Sequence, residues 1–199
     1  MRILEPISFT DTLQHHTWLA PENSVVDGAS IPRAFWTVIG GPLEGLYRNA
    51  SVFHDVACDE KSEPWKLVHR MFYNGMRCSD VPILKAKIMY YAVYHFGPRW
   101  GPRHWFRSLF SIRSRTQRLS KQLTPQDVMR VQWWVTNNNP ELDTIEAHSE
   151  IVEAVAARLG PSLRARIIGA PSRIAKKVSS YIDRLRPPPP PPPVAVGPG

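Results

Sequence analysis

Apolar side chains recur at three- and four-residue steps through most of the chain, which predicts a largely helical protein. Trp65, Val68, Phe72 and Met76 mark one such helix, introduced by the turn-like run Asp59-Glu60-Lys61-Ser62-Glu63-Pro64. Tyr47, Ala50, Val52, Phe53 and Val56 mark an earlier one over residues 45–58. Ile83 to Phe96 is apolar nearly all round, begins after Ser79-Asp80 and Pro82, and ends at Gly97-Pro98; it reads as a central buried helix. Before residue 28 the pattern differs. Short β-compatible pairs, Trp18-Leu19 and Val25-Val26, flank a Pro-Glu-Asn turn and predict two or three short strands. Ser30-Ile31-Pro32-Arg33 reads as a helix start, because Ser accepts from free N–H groups and Pro suits a first turn. That helix would stop at Gly40-Gly41-Pro42.

Beyond Pro98 the texture changes. Trp100, Trp105, Phe106 and Phe110 alternate with Arg99, Arg103, Arg107, Arg113 and Arg115. A helix is expected from Thr124-Pro125-Gln126-Asp127, with Val128, Val131 and Val135 on one face, and another through Ile145, His148, Val152, Val155 and Leu159. Ile174, Val178, Tyr181, Ile182 and Leu185 form an apolar stripe opposite Arg173, Lys176, Lys177 and Arg184. Seven prolines, Pro187 to Pro193, then favour an extended polyproline II rod. The expected class is α+β: short N-terminal β-strands packed on a helical core, then basic helices and a disordered proline-rich tail. The expected parts are residues 1–98 as a domain, 99–123 as a basic aromatic linker, 124–186 as a helical extension and 187–199 as the tail.

Charge supports that division. The net charge of the 199-residue chain is +8, yet residues 1–98 hold 9 Lys/Arg against 10 Asp/Glu, so the whole excess lies in the second half. The expectation is that residues 99–186 meet nucleic acid or an anionic surface, or else that the Trp residues pack back and the cations are merely solvated. The opening residues are too polar for a signal peptide and no apolar run reaches the roughly 20 residues of a membrane span, so a cytoplasmic location is expected. Cys58 and Cys78 offer no CxxC spacing and read as reduced, semi-buried side chains.

Two segments carry chemistry. In Val26-Asp27-Gly28-Ala29-Ser30 a carboxylate ends a strand beside a flexible glycine and a helix start. In Val52-Phe53-His54-Asp55-Val56 an imidazole and a carboxylate interrupt an apolar helix, where each needs a partner. Asp27, His54 and Asp55 are the candidate catalytic set and the candidate ligands of a divalent metal. Ser30, Arg33 and His69 complete the candidate binding residues. The alternative is that all of these cap backbone and satisfy one another, with no reaction.

These residues resemble a known family, the bacterial and phage-associated domain of unknown function 1353. The resemblance rests on Val26 to Arg33 with Phe35-Trp36, on Tyr47 to Asp55, and on His69 to Phe72 with Met89 to Val93. It covers roughly residues 3–97 and implies a small phage- or prophage-derived domain of unassigned activity. The chain departs from that family's pattern at Cys58, where an aromatic is usual, and at His69, where an Asp is usual. Two functions follow as expectations: a small enzyme on Asp27, His54 and Asp55, with metal-dependent hydrolysis as its expected class; or a non-enzymatic phage assembly or host-binding module with a basic extension.

Overall fold

The computed structural model describes residues 1–28, 31–41, 45–100 and 119–159. Over them the protein is a two-stranded hairpin set against a helical core, as the α+β pattern predicts. Strands β1 (Ile7–Asp11) and β2 (His16–Ala20) pair antiparallel, with Phe9 opposite Trp18 and Asp11 opposite His16. Asp11 explains the turn: its Oδ1 accepts from the Leu13 and Gln14 amides at 3.0 and 3.2 Å. Its Oδ2 accepts from Asn74 Nδ2 at 2.8 Å, which fastens the hairpin to the helices. Val25 makes an isolated bridge with Arg2 rather than a third strand.

A short 3₁₀ turn, Arg33–Phe35, leads into a single-turn helix α1 (Trp36–Ile39), which Gly40 ends. Helix α2 (Arg48–Glu60) runs two residues past the expected Cys58, because Lys61 takes the left-handed conformation and closes the last turn onto Ala57 O. Helices α3 (Trp65–Cys78) and α4 (Ile83–Phe96) lie where the periodicity puts them. α2 crosses α3 closely at Gly75: a Cβ there would stand 3.1 Å from the Ala50 Cβ. Alanine there would require its neighbour to give by a few tenths of an ångström.

Helix α5 (Pro125–Asn138) starts with a full capping box, Thr124 and Asp127 each bonding the other's backbone amide. The helix expected through residues 145–159 is two helices, α6 (Leu142–Ala147) and α7 (Glu150–Ala157). His148 breaks them with extended backbone, and its ring stacks on Trp134 at 3.9 Å between centroids. One continuous core holds Phe35, Ile39, Phe72 and Met76, the buried residues of α4, and Val128, Val131, Ile145 and Val155 from α5 to α7. The helical extension is therefore packed on α4 and shares its core. A second cluster, with Trp18, Val26, Val56, Val68, Met71 and Trp100, lies under the hairpin.

Of the aromatic and basic linker, Arg99, Trp100 and residues 119–123 are described, and Arg99 and Trp100 fold back. The Arg99 guanidinium stands 4.7 Å above the Trp65 ring, and the Trp100 indole donates to Glu63 O at 2.8 Å. Residues 101–118, the cationic stripe of 173–185 and the proline run lie outside the described residues. Among the described residues no helix is long and apolar enough to cross a membrane.

Candidate metal centre

His54 projects from the middle of α2 and His69 from the first half of α3, so the close α2–α3 packing brings the rings together. His54 Nε2 is 2.9 Å from His69 Nδ1, and both side chains are fully buried. One turn beyond His54, Cys58 sets its Sγ 3.7 Å from both His54 ring nitrogens. The spacing is i and i+4, neighbours on one helix face. All three donor atoms lie within 4.8 Å of one another.

The hydrogen-bond partners fix the tautomers. Pro98 O can only accept, so His69 Nε2, 3.1 Å away, carries the proton. Neutral His69 then presents a bare Nδ1, to which His54 Nε2–H donates. That leaves His54 Nδ1 as the acceptor for the Cys58 thiol. The cluster is a directed chain from thiol through two imidazoles to a backbone carbonyl.

The surroundings keep it uncharged. Burial pushes the His54 pKa from 6.5 down to about 3, and holds His69 well below its ordinary value, with His54 and Arg99 adding to the effect. Burial also raises the Cys58 thiol well above its usual range, reinforced by Asp55 and Asp59. The shell is aromatic. Phe72 lies 4.9 Å from the His54 ring, and Trp65 and Trp100 lie 5.4 and 6.5 Å from the His69 ring.

Asp55 takes a different direction from His54, as adjacent helix positions must. Its Oδ2 accepts from the Asp27 and Gly28 amides at 3.0 and 2.6 Å. Gly28 has φ +114°, a conformation that side chains rarely adopt, and this lets both amides turn toward one oxygen. The Asp27 backbone meets Asp55 while the Asp27 side chain is exposed. Arg33 is exposed too, with its guanidinium 5.6 Å above the Trp36 ring. Ser30 lies outside the described residues. Of the expected catalytic set, the structure thus joins Asp55 to the Asp27 backbone and turns His54 away from both, toward His69. Cys58 was missed as a site residue; its signal in the sequence is the His54-x-x-x-Cys58 spacing.

Comparison with known proteins finds similarity over the N-terminal part of the chain. The chain is 54% identical over 83 residues to the uncharacterized protein y4jT of Sinorhizobium fredii, covering 42% of this chain and 25% of that protein. It is 45% identical over 84 residues to the uncharacterized protein y4iH of the same organism, covering 42% of this chain and 35% of the other. The match thus spans about a third or less of the length of these relatives. No solved structure matches the chain. Residues 1–93, just under half of the chain, match the family model described as protein of unknown function DUF1353.

Proposed function

We propose that residues 1–100 form a binding module that takes up a soft transition-metal ion on His54, Cys58 and His69. The observation that carries this is the convergence of one thiol and two neutral imidazoles within 4.8 Å in a dry interior. Both rings are held neutral by burial, so ligation need displace only the Cys58 thiol proton and shift the proton on His54 Nε2. The His69 Nε2–H bond to Pro98 O orients Nδ1 toward the other donors, the arrangement that backbone carbonyls give metal-bound histidines. A cation at the centre would draw the proton from the Cys58 thiol, which burial otherwise keeps in place.

Support goes to binding more than to hydrolysis. A hydrolytic site on Asp27, His54 and Asp55 would need the three side chains to face one open space. Asp55 is buried on backbone amides and Asp27 points outward. The phage association expected from the resemblance gains nothing from the two Sinorhizobium relatives, and it stays outside this reading.

Elemental analysis of the reduced full chain is the test. The expected result is stoichiometric transition metal in wild type, lost in Cys58→Ala and His69→Ala and kept in Asp27→Ala. A wild type that retains no metal after reduced exposure to zinc, cobalt and cuprous ions would overturn the proposal.

A further inference from the structure

We infer that the ion preferred by this centre is monovalent copper, an assignment that rests on the metal reading above and specifies its ligand.

The feature that favours it is donor number. Among the described residues the cluster comprises His54, Cys58 and His69 alone. Zinc sites take four ligands and catalytic ones keep water in the fourth position. Here the histidines are fully buried and Cys58 is 6% exposed, behind Phe72, Trp65 and Trp100. Water has little room to serve, whereas a thiolate with two imidazoles satisfies a soft monovalent ion.

The distances permit such an ion. Metal–nitrogen bonds near 2.0 Å and a metal–sulfur bond near 2.3 Å, at trigonal angles, put nitrogen and sulfur about 3.7 Å apart. Cys58 Sγ already stands 3.7 Å from the His54 ring nitrogens. The His54 and His69 nitrogens, now 2.9 Å apart around a shared proton, must part by about 0.5 Å. The exchange balances without electron transfer. Cu(I) enters, and the thiol proton leaves to solvent. The His54 proton moves from Nε2 to Nδ1, where it faces the metal-bound sulfur.

The experiment loads the reduced full chain, without oxygen, with cuprous ion or with zinc, then dialyses each sample against a competing chelator. Expected is one copper per chain retained and zinc lost, with copper lost in Cys58→Ala and His69→Ala of wild-type far-UV circular dichroism. X-ray absorption at the copper edge of wild type needs no variant, and should count one sulfur and two nitrogen ligands. Zinc retained where copper is lost overturns the copper assignment while the metal reading stands; copper bound without sulfur overturns the copper assignment and the part given to Cys58. Neither metal retained overturns both.

Discussion

Two interfaces of this protein bury histidines, and they use them in opposite ways. Between α2 and α3, His54 and His69 bond each other and gather Cys58, so their donor atoms converge. Between α4 and α6, His95 donates to Ile145 O at 2.7 Å, while His148 lies 3.1 Å from the Tyr91 hydroxyl and stacks on Trp134. Here each imidazole has its own partner. Beside them Glu146 accepts from both Arg70 and the Tyr90 hydroxyl, tying α3 and α4 to α6. Burial of histidine is therefore no sign of a ligand site. What separates the interfaces is whether the lone pairs face a common point.

The largest expected effect sharpens that contrast. A ligand bound to the folded state alone at a hundred times its dissociation constant stabilises by about 2.7 kcal/mol. Metal loading should raise the thermal midpoint of wild type and of His95→Gln, and leave His69→Gln unmoved. A rise that persists in His69→Gln would place the bound metal elsewhere.

Acid should reach the second interface on its own terms. Burial chiefly pushes the His95 pKa from 6.5 down to about 3, with Arg99 and His148 acting in the same direction against the Ile145 hydrogen bond. The folded protein keeps the ring neutral, while the unfolded chain takes a proton below about pH 6.5. The stability tied to His95 is whole above that pH and is lost as pH falls toward 3. By pH 5 the loss is about 2 kcal/mol. Urea midpoints at pH 7 and 5 should therefore drop less in His95→Gln than in wild type. Equal drops would show that His95 does not titrate on unfolding.

Much of this architecture is legible in the sequence, for identifiable reasons. α3 and α4 are bounded by Pro64, Pro82 and Gly97, and α5 opens with Thr124 and Asp127 three apart, so local chemistry marks their ends. The α6–α7 break is not legible, because His148 leaves the helix for Tyr91 and Trp134, partners distant in sequence. At the candidate site, His54 and His69 stand out as polar residues in apolar helices. Cys58 does not, since a thiol looks like any small core residue until its neighbour on the helix is known. Nor does a pattern of side chains announce that the Asp27 backbone, rather than its carboxylate, meets Asp55.

Asp127 gives a more local test of the second region. Burial alone would raise its pKa, but Arg158 and the Thr124 amide and hydroxyl overcome that and hold it at about 2. Asp127→Ala removes the capping box and both contacts to Arg158, at 2.6 and 2.9 Å, and should cost about 1–2 kcal/mol. The lowered pKa means this stability is present above about pH 4 and is lost as pH falls through 2. An Asp127→Ala melting curve that overlays wild type at pH 7 would show that α7 is held by its apolar face alone.

The smallest effect is expected where water can replace what is removed. Tyr91→Phe deletes the hydroxyl that faces His148 and keeps the ring that packs against His95 and Trp134. His148 is only half-buried, so solvent can serve its freed nitrogen, and the cost should stay near 0.5–1 kcal/mol by chemical denaturation. At the other interface the same logic fails. Cys58→Ala strips His54 Nδ1 of its donor in a shell of Phe72, Trp65 and Trp100, where water has little access. Without metal, Cys58→Ala should therefore cost more than Tyr91→Phe, although a thiol is the weaker donor. The reverse order would mean that the α2–α3 interface admits water, and the enclosed character on which the two histidine interfaces were distinguished would be lost.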